Sequence, residues 1–215
     1  MRKIVILDAH AANPGDLSWD FLKQYGELTV YDRTCGGDEQ VVERAKDAEI
    51  VLLNKTPVTR AALERLPKLK LISVLATGYN IVDVAACKER GVLVANVPAY
   101  SGFAVAQQTF AFILEFANRV GRHSASALAG DWVNCPDFSY SLSPLTELQG
   151  KTMGIIGYGD IGRRVAKFAL AFDMRVLVHT AHPEKYPAAP VTFCSLDEML
   201  PQCDFVSLHV PMTPA

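Results

Sequence analysis

Through the first hundred residues, short apolar runs alternate with segments whose apolar residues recur every three or four positions. KIVILD (3–8), ELTVY (27–31), EIVLLN (49–54), KLISVLA (70–76) and VLVAN (92–96) are rich in Val, Ile and Leu. Their hydrophobicity is nearly continuous rather than strictly alternating, the pattern of strands covered on both faces. Between them, DLSWDFLKQYG (16–26), DEQVVERAKDA (38–48) and VDVAACKERG (82–91) have helical spacing, and the last closes on Gly91, which predicts a helix C-cap. Strand alternating with helix predicts a parallel sheet joined by right-handed crossovers.

NVPAYSG (96–102) then punctuates the chain with Pro98 and Gly102. This places a domain boundary near 98–103, with one domain over 1–100 and a second over 101–215. The second opens with a long helical stretch, AVAQQTFAFILEFANRVGRH (104–123), apolar on most of its circumference, as a helix sandwiched between domains or subunits would be. The loop-like segment 130–151 carries Trp132, Phe138, Tyr140 and Leu142, which predicts that it packs against something. Four further strands follow: TMGIIG (152–157), RVLVHT (175–180), a short VTFC (191–194) and DFVSLHV (204–210). The expected fold class is therefore α/β, with two parallel-sheet domains.

Composition narrows the function classes. The 215 residues leave room for one large or two modest domains, and half of them are apolar with a fifth charged, enough for packed cores. The net charge of −2, without a basic block, gives no reason to expect nucleic acid or an anionic membrane surface as partner. No apolar run approaches the roughly eighteen residues that span a bilayer, and MRKIVILDAH lacks the pattern of a secretory signal. Cys35, Cys87, Cys135, Cys194 and Cys203 are odd in number and scattered, without a C-x-x-C pair. That favours a reducing compartment over disulfides or a zinc site, so the expectation is a cytoplasmic protein with no metal.

The chemistry is carried by a glycine turn, TMGIIGYGDIGRRVAKFALAF (152–172). A helix N-terminus offers unpaired amides and partial positive charge, and so attracts phosphate. In the G-x-G-x-x-G arrangement Gly157 permits the tight turn, Gly159 lets backbone approach a pyrophosphate, and Gly162 lets the helix pack on the sheet. Tyr158, Asp160 and Ile161 fill the intervening positions. The context is a strand before, a second strand after, and a helix with Ile161, Val165, Phe168, Ala169 and Phe172 on one face, which points to NAD or NADP. The acidic residue that binds ribose hydroxyls about twenty positions on is replaced by Thr180, followed by Ala181 and His182. Glu184 lies beyond a proline, and no arginine is placed to grip a 2′-phosphate unless Lys185 folds back. NAD stands first and NADP stays open.

Several separate stretches resemble the D-isomer-specific 2-hydroxyacid dehydrogenases, most closely the glycerate dehydrogenase and hydroxypyruvate reductase branch. LATGYNIVD (75–83) is similar to the family's substrate-carboxylate loop, which puts Thr77 and Gly78 at the acid. VANVPAYS and VAQQTFAFILE (94–115) are similar to the hinge and the helix entering the cofactor domain, LQGKTMGIIGYGDIG to the cofactor fingerprint, and CDFVSLHVPMTPA (203–215) to the strand and loop on the adenine side. The resemblance implies a flavodoxin-like substrate domain and a Rossmann domain, both doubly wound. It implies hydride transfer between the nicotinamide and C2 of a small 2-hydroxy or 2-keto acid, and a homodimer through residues 104–142. It adds His209, Val210 and Pro211 as cofactor-side residues and Val105 as a nicotinamide contact, although a valine on an apolar helix also fits a core.

The family's catalytic arginine, glutamate and histidine are expected beyond Ala215, so no catalytic residue is assigned within the chain, and the Rossmann domain is expected to be incomplete. Strand 204–210 would then be an exposed apolar edge, and the chain alone is expected to fold poorly or need a partner to cover it. Among the five histidines, His10 follows the first strand and could line a cleft, His123 is expected to end a helix in a structural role, and His179 and His182 flank the second strand beside the adenosine. Gln107 and Gln108 stand where relatives carry glutamate and histidine. The alternative function is a non-catalytic dinucleotide-binding or regulatory protein. A methyltransferase-like Rossmann protein is a third reading, opposed by the paired α/β domains and the carboxylate loop.

Overall fold

In the first unit, Met1–Tyr100, a parallel sheet is built in the order of the chain's alternating pattern. Its elements are β1 (Lys3–Ile6), α1 (Ala9–Ala12, one turn), β2 (Glu27–Val30), α2 (Gly37–Ala45), β3 (Ile50–Leu53), α3 (Arg60–Glu64), β4 (Leu71–Val74), α4 (Val84–Glu89) and β5 (Leu93–Ala95). The strand order is β2-β1-β3-β4-β5, all parallel, which is the flavodoxin-like arrangement. The computed structural model describes residues 1–187 and 190–211.

The unbroken apolar run of β1 has a direct cause. Val5 and Leu7 pack with Val41, Ala45, Leu63 and Cys87 on one face, while Ile4, Ile6 and Leu52 pack with Ala9, Trp19 and Leu22 on the other. Double-sided burial holds for the central strands only. Edge strands β2 and β5 keep much of their surface in solvent, with Leu93 71% exposed, because helices cover the middle of an open sheet better than its margins.

Two further expectations change in this unit. The helix expected over 16–26 is a single 3-10 turn, Asp20–Gln24. The Asn13 side chain accepts the amides of Gly15 (3.0 Å) and Leu17 (3.1 Å), capturing backbone that a helix would use. Conversely α3, absent from the sequence reading, forms where Thr59 caps it by accepting the Ala62 amide at 3.2 Å. Gly91 does close α4, at φ +70°.

The second unit, Ser101–Ala215, comprises α5 (Gly102–Asn118), α6 (Val120–Leu128), β6 (Thr152–Ile156), α7 (Asp160–Ala171), β7 (Arg175–His179), β8 (Thr192–Phe193), α8 (Leu196–Met199) and β9 (Phe205–Leu208). Its parallel sheet runs β8-β7-β6-β9, the 3-2-1-4 part of the Rossmann order. Met153, Ile155, Val176 and Val178 meet Val165, Ala166 and Ala169 of α7, and α5 adds Ala106, Phe110, Ile113 and Ala117. The fold is α/β in both units. Short α8 was not read from the sequence, yet it carries a complete Ser195–Glu198 capping box.

The single helix expected over 104–123 is two. Arg119 breaks it in the left-handed region at φ +51°, and the Glu115 carboxylate takes the Gly121 amide at 3.2 Å, starting α6 at a new angle. His123 consequently sits in the first turn of α6 rather than at a helix end. There its Nδ1 meets the Arg119 carbonyl (3.0 Å), and its Nε2 accepts the Leu142 amide (3.1 Å). The 130–151 segment is only partly packed. Tyr140 donates to Ser126 Oγ (3.0 Å) and Leu148 is buried, whereas Phe138 is 93% exposed and Trp132 half exposed. Phe172, expected on the buried face of α7, instead caps the helix, 40% exposed, with its ring stacked on Phe110 at 5.5 Å. Strand β9 pairs with β6 alone among the described residues, and Leu208 is 66% exposed. No helix among them is long and apolar enough to cross a membrane.

Candidate active site

Two groups of residues carry candidate chemistry, one in each unit. In the second, β6 ends at Ile156 and the chain turns sharply at Gly157, with φ +92°. The Gly157 amide donates to the His179 carbonyl at 2.8 Å, so Thr180 follows directly beside the turn. A Cβ at Gly157 would stand 2.5 Å from the His209 carbonyl oxygen and 2.7 Å from Val210 Cγ1. A Cβ at Gly162 would overlap the Gly157 carbonyl oxygen. These two glycines thus fit helix to strand.

Gly159 differs. It is the N-cap of α7, exposed, and a Cβ there would meet nothing within 4 Å. Open space over the positive end of a twelve-residue helix is what a pyrophosphate requires, so the turn fits a dinucleotide. Asp160 does not offer its carboxylate to that space, because Arg164 Nε holds both its oxygens at 3.2 and 3.0 Å. Ile161 is half-buried against the core.

Tyr158 packs edge-on to Tyr186 (5.1 Å) and Phe193 (5.5 Å), and burial pushes its phenol pKa up. His209 and Val210 follow β9 beside Gly157, and Pro211 is exposed after them. The rest of that expected loop, 212–215, lies outside the described residues. Val105 stands on α5, 38% exposed, while Gln107 and Gln108 are exposed on the same helix. Nδ1 of His179 bonds the Cys194 carbonyl at 3.2 Å, and His182 lies 3.2 Å from Glu184 at the surface.

Burial lowers the pKa of His209, which lies 2.8 Å through Nε2 from Ser207 Oγ. Because the unfolded imidazole takes its proton near 6.5 and the folded one resists it, stability should fall as pH drops through that value. Urea unfolding between neutral and mildly acidic pH should show this slope, and His209→Gln should flatten it. An unchanged slope in the variant would assign it elsewhere.

In the first unit, Thr77 and Gly78 follow β4 on a braced loop. Thr77 Oγ1 donates to the Val97 carbonyl (3.1 Å), Asn96 Nδ2 to the Thr77 carbonyl (2.8 Å), and the Val97 amide to the Ala76 carbonyl (3.1 Å). Among the described residues, no hydrogen bond engages the amides of Thr77 or Gly78, which leaves them available to an acid. Nearby, a cavity of about 310 Å³ is lined by Ala11, Ala12, Trp19, Asn54, Leu75, Val97 and Tyr100. His10 is exposed on α1 and borders a separate, smaller pocket with Asp8 and Lys55.

Asp8, unremarked in the sequence beyond closing the first apolar run, organises this end of the sheet. It is 6% exposed and accepts the amides of Asn54 (2.7 Å), Lys55 (2.6 Å) and Thr56 (2.7 Å). An acidic residue ending a buried strand was the one available signal.

A sequence profile described as D-isomer specific 2-hydroxyacid dehydrogenase, NAD binding domain, matches residues 110–215. A hydroxypyruvate reductase of Blautia hydrogenotrophica is 46% identical over 99% of this chain and 66% of its own length. The chain belongs to the D-isomer specific 2-hydroxyacid dehydrogenase family. A glycerate dehydrogenase of Methylorubrum extorquens is 35% identical over 99% of the chain and 65% of its own length. The crystal structure of the TT0316 protein from Thermus thermophilus superposes with a TM-score of 0.84 at 31% identity, covering 99% of this chain and 66% of that one. This family member thus spans just under two thirds of the length of those two enzymes.

Proposed function

We propose that the chain serves NAD(P)-dependent interconversion of a small 2-hydroxy acid and its 2-keto acid, of the glycerate, hydroxypyruvate or glyoxylate type. Residues 1–100 would be the substrate domain and 101–215 the dinucleotide domain. The observation that carries the reading is the open space over Gly159 at the N-terminus of α7, in a turn whose other two glycines are closed by packing.

The amides opening α7 take the pyrophosphate, and Tyr158, Thr180, His209, Val210 and Pro211 line the adenosine side. Val105 faces the nicotinamide, and the unengaged amides of Thr77 and Gly78 take the substrate carboxylate. The dinucleotide supplies the hydride acceptor or donor. What these residues contribute is orientation and charge: amides locked by Asn96 and Val97 cost little reorganisation when the anion binds. The neighbouring 310 Å³ cavity, lined by apolar Ala11, Ala12, Leu75 and Val97 together with Trp19, Tyr100 and the Asn54 amide, suits the remainder of the acid.

Homodimerisation through 104–142 is supported by the apolar surface there: Phe112, Phe116, Leu128, Val133 and Phe138 are all more than half exposed. Five unpaired cysteines support a reducing, cytoplasmic location.

The test is titration with NADH and NADPH by fluorescence, followed by loss of reduced-nicotinamide absorbance on adding hydroxypyruvate or glyoxylate. Because no catalytic group is assigned among residues 1–215, binding without turnover is expected of them under the dehydrogenase reading. Turnover would place the acid–base within these residues and exclude the alternative, a non-catalytic nucleotide-binding function. No binding by the folded chain removes both.

A further inference from the structure

The end of β7 holds an arrangement of charge that the glycine turn does not need. The dinucleotide fold keeps a carboxylate at the close of this strand, where it accepts the ribose hydroxyls and repels a 2′-phosphate. Thr180 occupies that place, set against the turn by the hydrogen bond from Gly157 to His179. Glu184 is the one acidic residue of the following segment, and it lies at the surface, paired with His182.

Basic groups gather at the same end. Tyr186 folds back onto the turn, 5.1 Å from Tyr158 and stacked on Phe193 at 6.4 Å. That anchor, Tyr186, directly follows the short turn Pro183–Lys185, so Lys185 is its neighbour in the chain. From the other side comes Arg163, the residue after Gly162. Its guanidinium lies 5.9 Å from the Tyr186 ring centroid, within cation–π range, and its Nε reaches the Gly159 carbonyl at 3.3 Å. Among the described residues neither Arg163 nor Lys185 has an acidic partner, whereas the adjacent Arg164 is held by Asp160. The segment's one carboxylate, Glu184, is taken up by His182, while Arg163 and Lys185 have no such partner among the described residues.

We infer that this end of the site is a 2′-phosphate subsite, with Arg163 as its principal ligand and Lys185 as its second, so that the chain binds NADP(H) in preference to NAD(H). The inference rests on the dinucleotide reading of the glycine turn and goes beyond it in naming which dinucleotide. A guanidinium fixed over an aromatic ring loses little freedom on binding, and its unused N–H groups match phosphate oxygens in pairs. Thr180, having no charge, does not repel the phosphate, and its single hydroxyl cannot accept both ribose hydroxyls as a carboxylate does.

Binding, measured by nicotinamide fluorescence and by calorimetry, tests this without turnover. NADPH should bind the full chain at least about tenfold tighter than NADH, the scale of one charge-assisted hydrogen bond. The half-molecules adenosine 2′,5′-bisphosphate and 5′-AMP should show the same order. Arg163→Gln should remove most of the preference while leaving NADH affinity within about twofold, the remainder being Lys185. Thr180→Asp should reverse the order by restoring both repulsion and ribose acceptor. Equal or tighter NADH binding by the unaltered chain overturns the subsite and leaves the dinucleotide reading intact. Equal losses of NADH and NADPH in Arg163→Gln, with unchanged circular dichroism, make Arg163 part of the turn's structure and overturn its assignment. If neither dinucleotide binds the folded chain, the underlying reading fails and the subsite with it.

Discussion

Gly157→Ala and Gly159→Ala should both abolish tight dinucleotide binding, but only the first should destabilise the protein. At Gly157 the added methyl meets the His209 carbonyl at 2.5 Å and Val210 Cγ1 at 2.7 Å, on a backbone at φ +92°. A left-handed conformation costs an L-residue about 1–2 kcal/mol and overpacking against fixed backbone about 1–3 kcal/mol. A loss of about 2–5 kcal/mol is expected, lowering the melting temperature by roughly 10 °C or more. At Gly159 the methyl enters open space on an ordinary backbone, so the cost is the weaker N-cap, under about 1 kcal/mol. That methyl nevertheless occupies the approach of the pyrophosphate, and affinity should fall at least about tenfold with melting nearly unchanged. Thermal unfolding together with NADPH titration of the two variants checks this. Full binding by Gly159→Ala would mean that no ligand phosphate approaches there.

Asp8→Ala should be the most damaging single change in the first unit. Its carboxylate accepts three consecutive amides at 2.6–2.7 Å, and the Thr56 amide is buried beyond the reach of solvent. Hydrogen bonds to a charged acceptor contribute about 1.5–3 kcal/mol each, and water can replace only those to Asn54 and Lys55, so a loss of about 3–5 kcal/mol is expected. Asp8→Asn is isosteric yet turns an NH2 group toward one of the three amides, a donor facing a donor, and should recover about half of the loss at most. Urea unfolding followed through Trp19 fluorescence, in a Trp132→Phe background, reads the first unit. A loss below about 1 kcal/mol in Asp8→Ala would show that the amides find other partners. Because Asp8 also sets the course of residues 54–56, and Asn54 borders the cavity beside the carboxylate loop, acid binding should weaken as well.

Much of the candidate site was legible because it is local. The three glycines of the turn act through their own backbone and immediate neighbours, so spacing and flanking pattern are sufficient to read them. Thr180 was legible as a missing charge for the same reason. Arg163 was not: it sits in the sequence like any other exposed helical arginine and becomes meaningful only once Tyr186, over twenty residues away, folds back beneath it. The break at Arg119 was equally hidden, since FANRVGRH keeps helical spacing and the Glu115–Gly121 hydrogen bond that supports the break selects locally between two tolerable backbones.

By itself, then, the sequence determined the alternation of strands and helices, the two parallel sheets, the glycine turn between strand and helix, and the family. These follow from side-chain periodicity and from backbone freedom at single positions, and both are properties of short stretches. Only the tertiary structure decided which polar groups became special. Asp8 gained amide partners 46 to 48 residues away, Thr77 hydrogen bonds with Asn96 and Val97, and Arg163 an aromatic neighbour. The physical reason is placement: a carboxylate or a guanidinium has the same chemistry everywhere in the chain, and folding decides which one loses its water, as Asp8 does, and which one meets a distant aromatic or backbone partner, as Arg163 does.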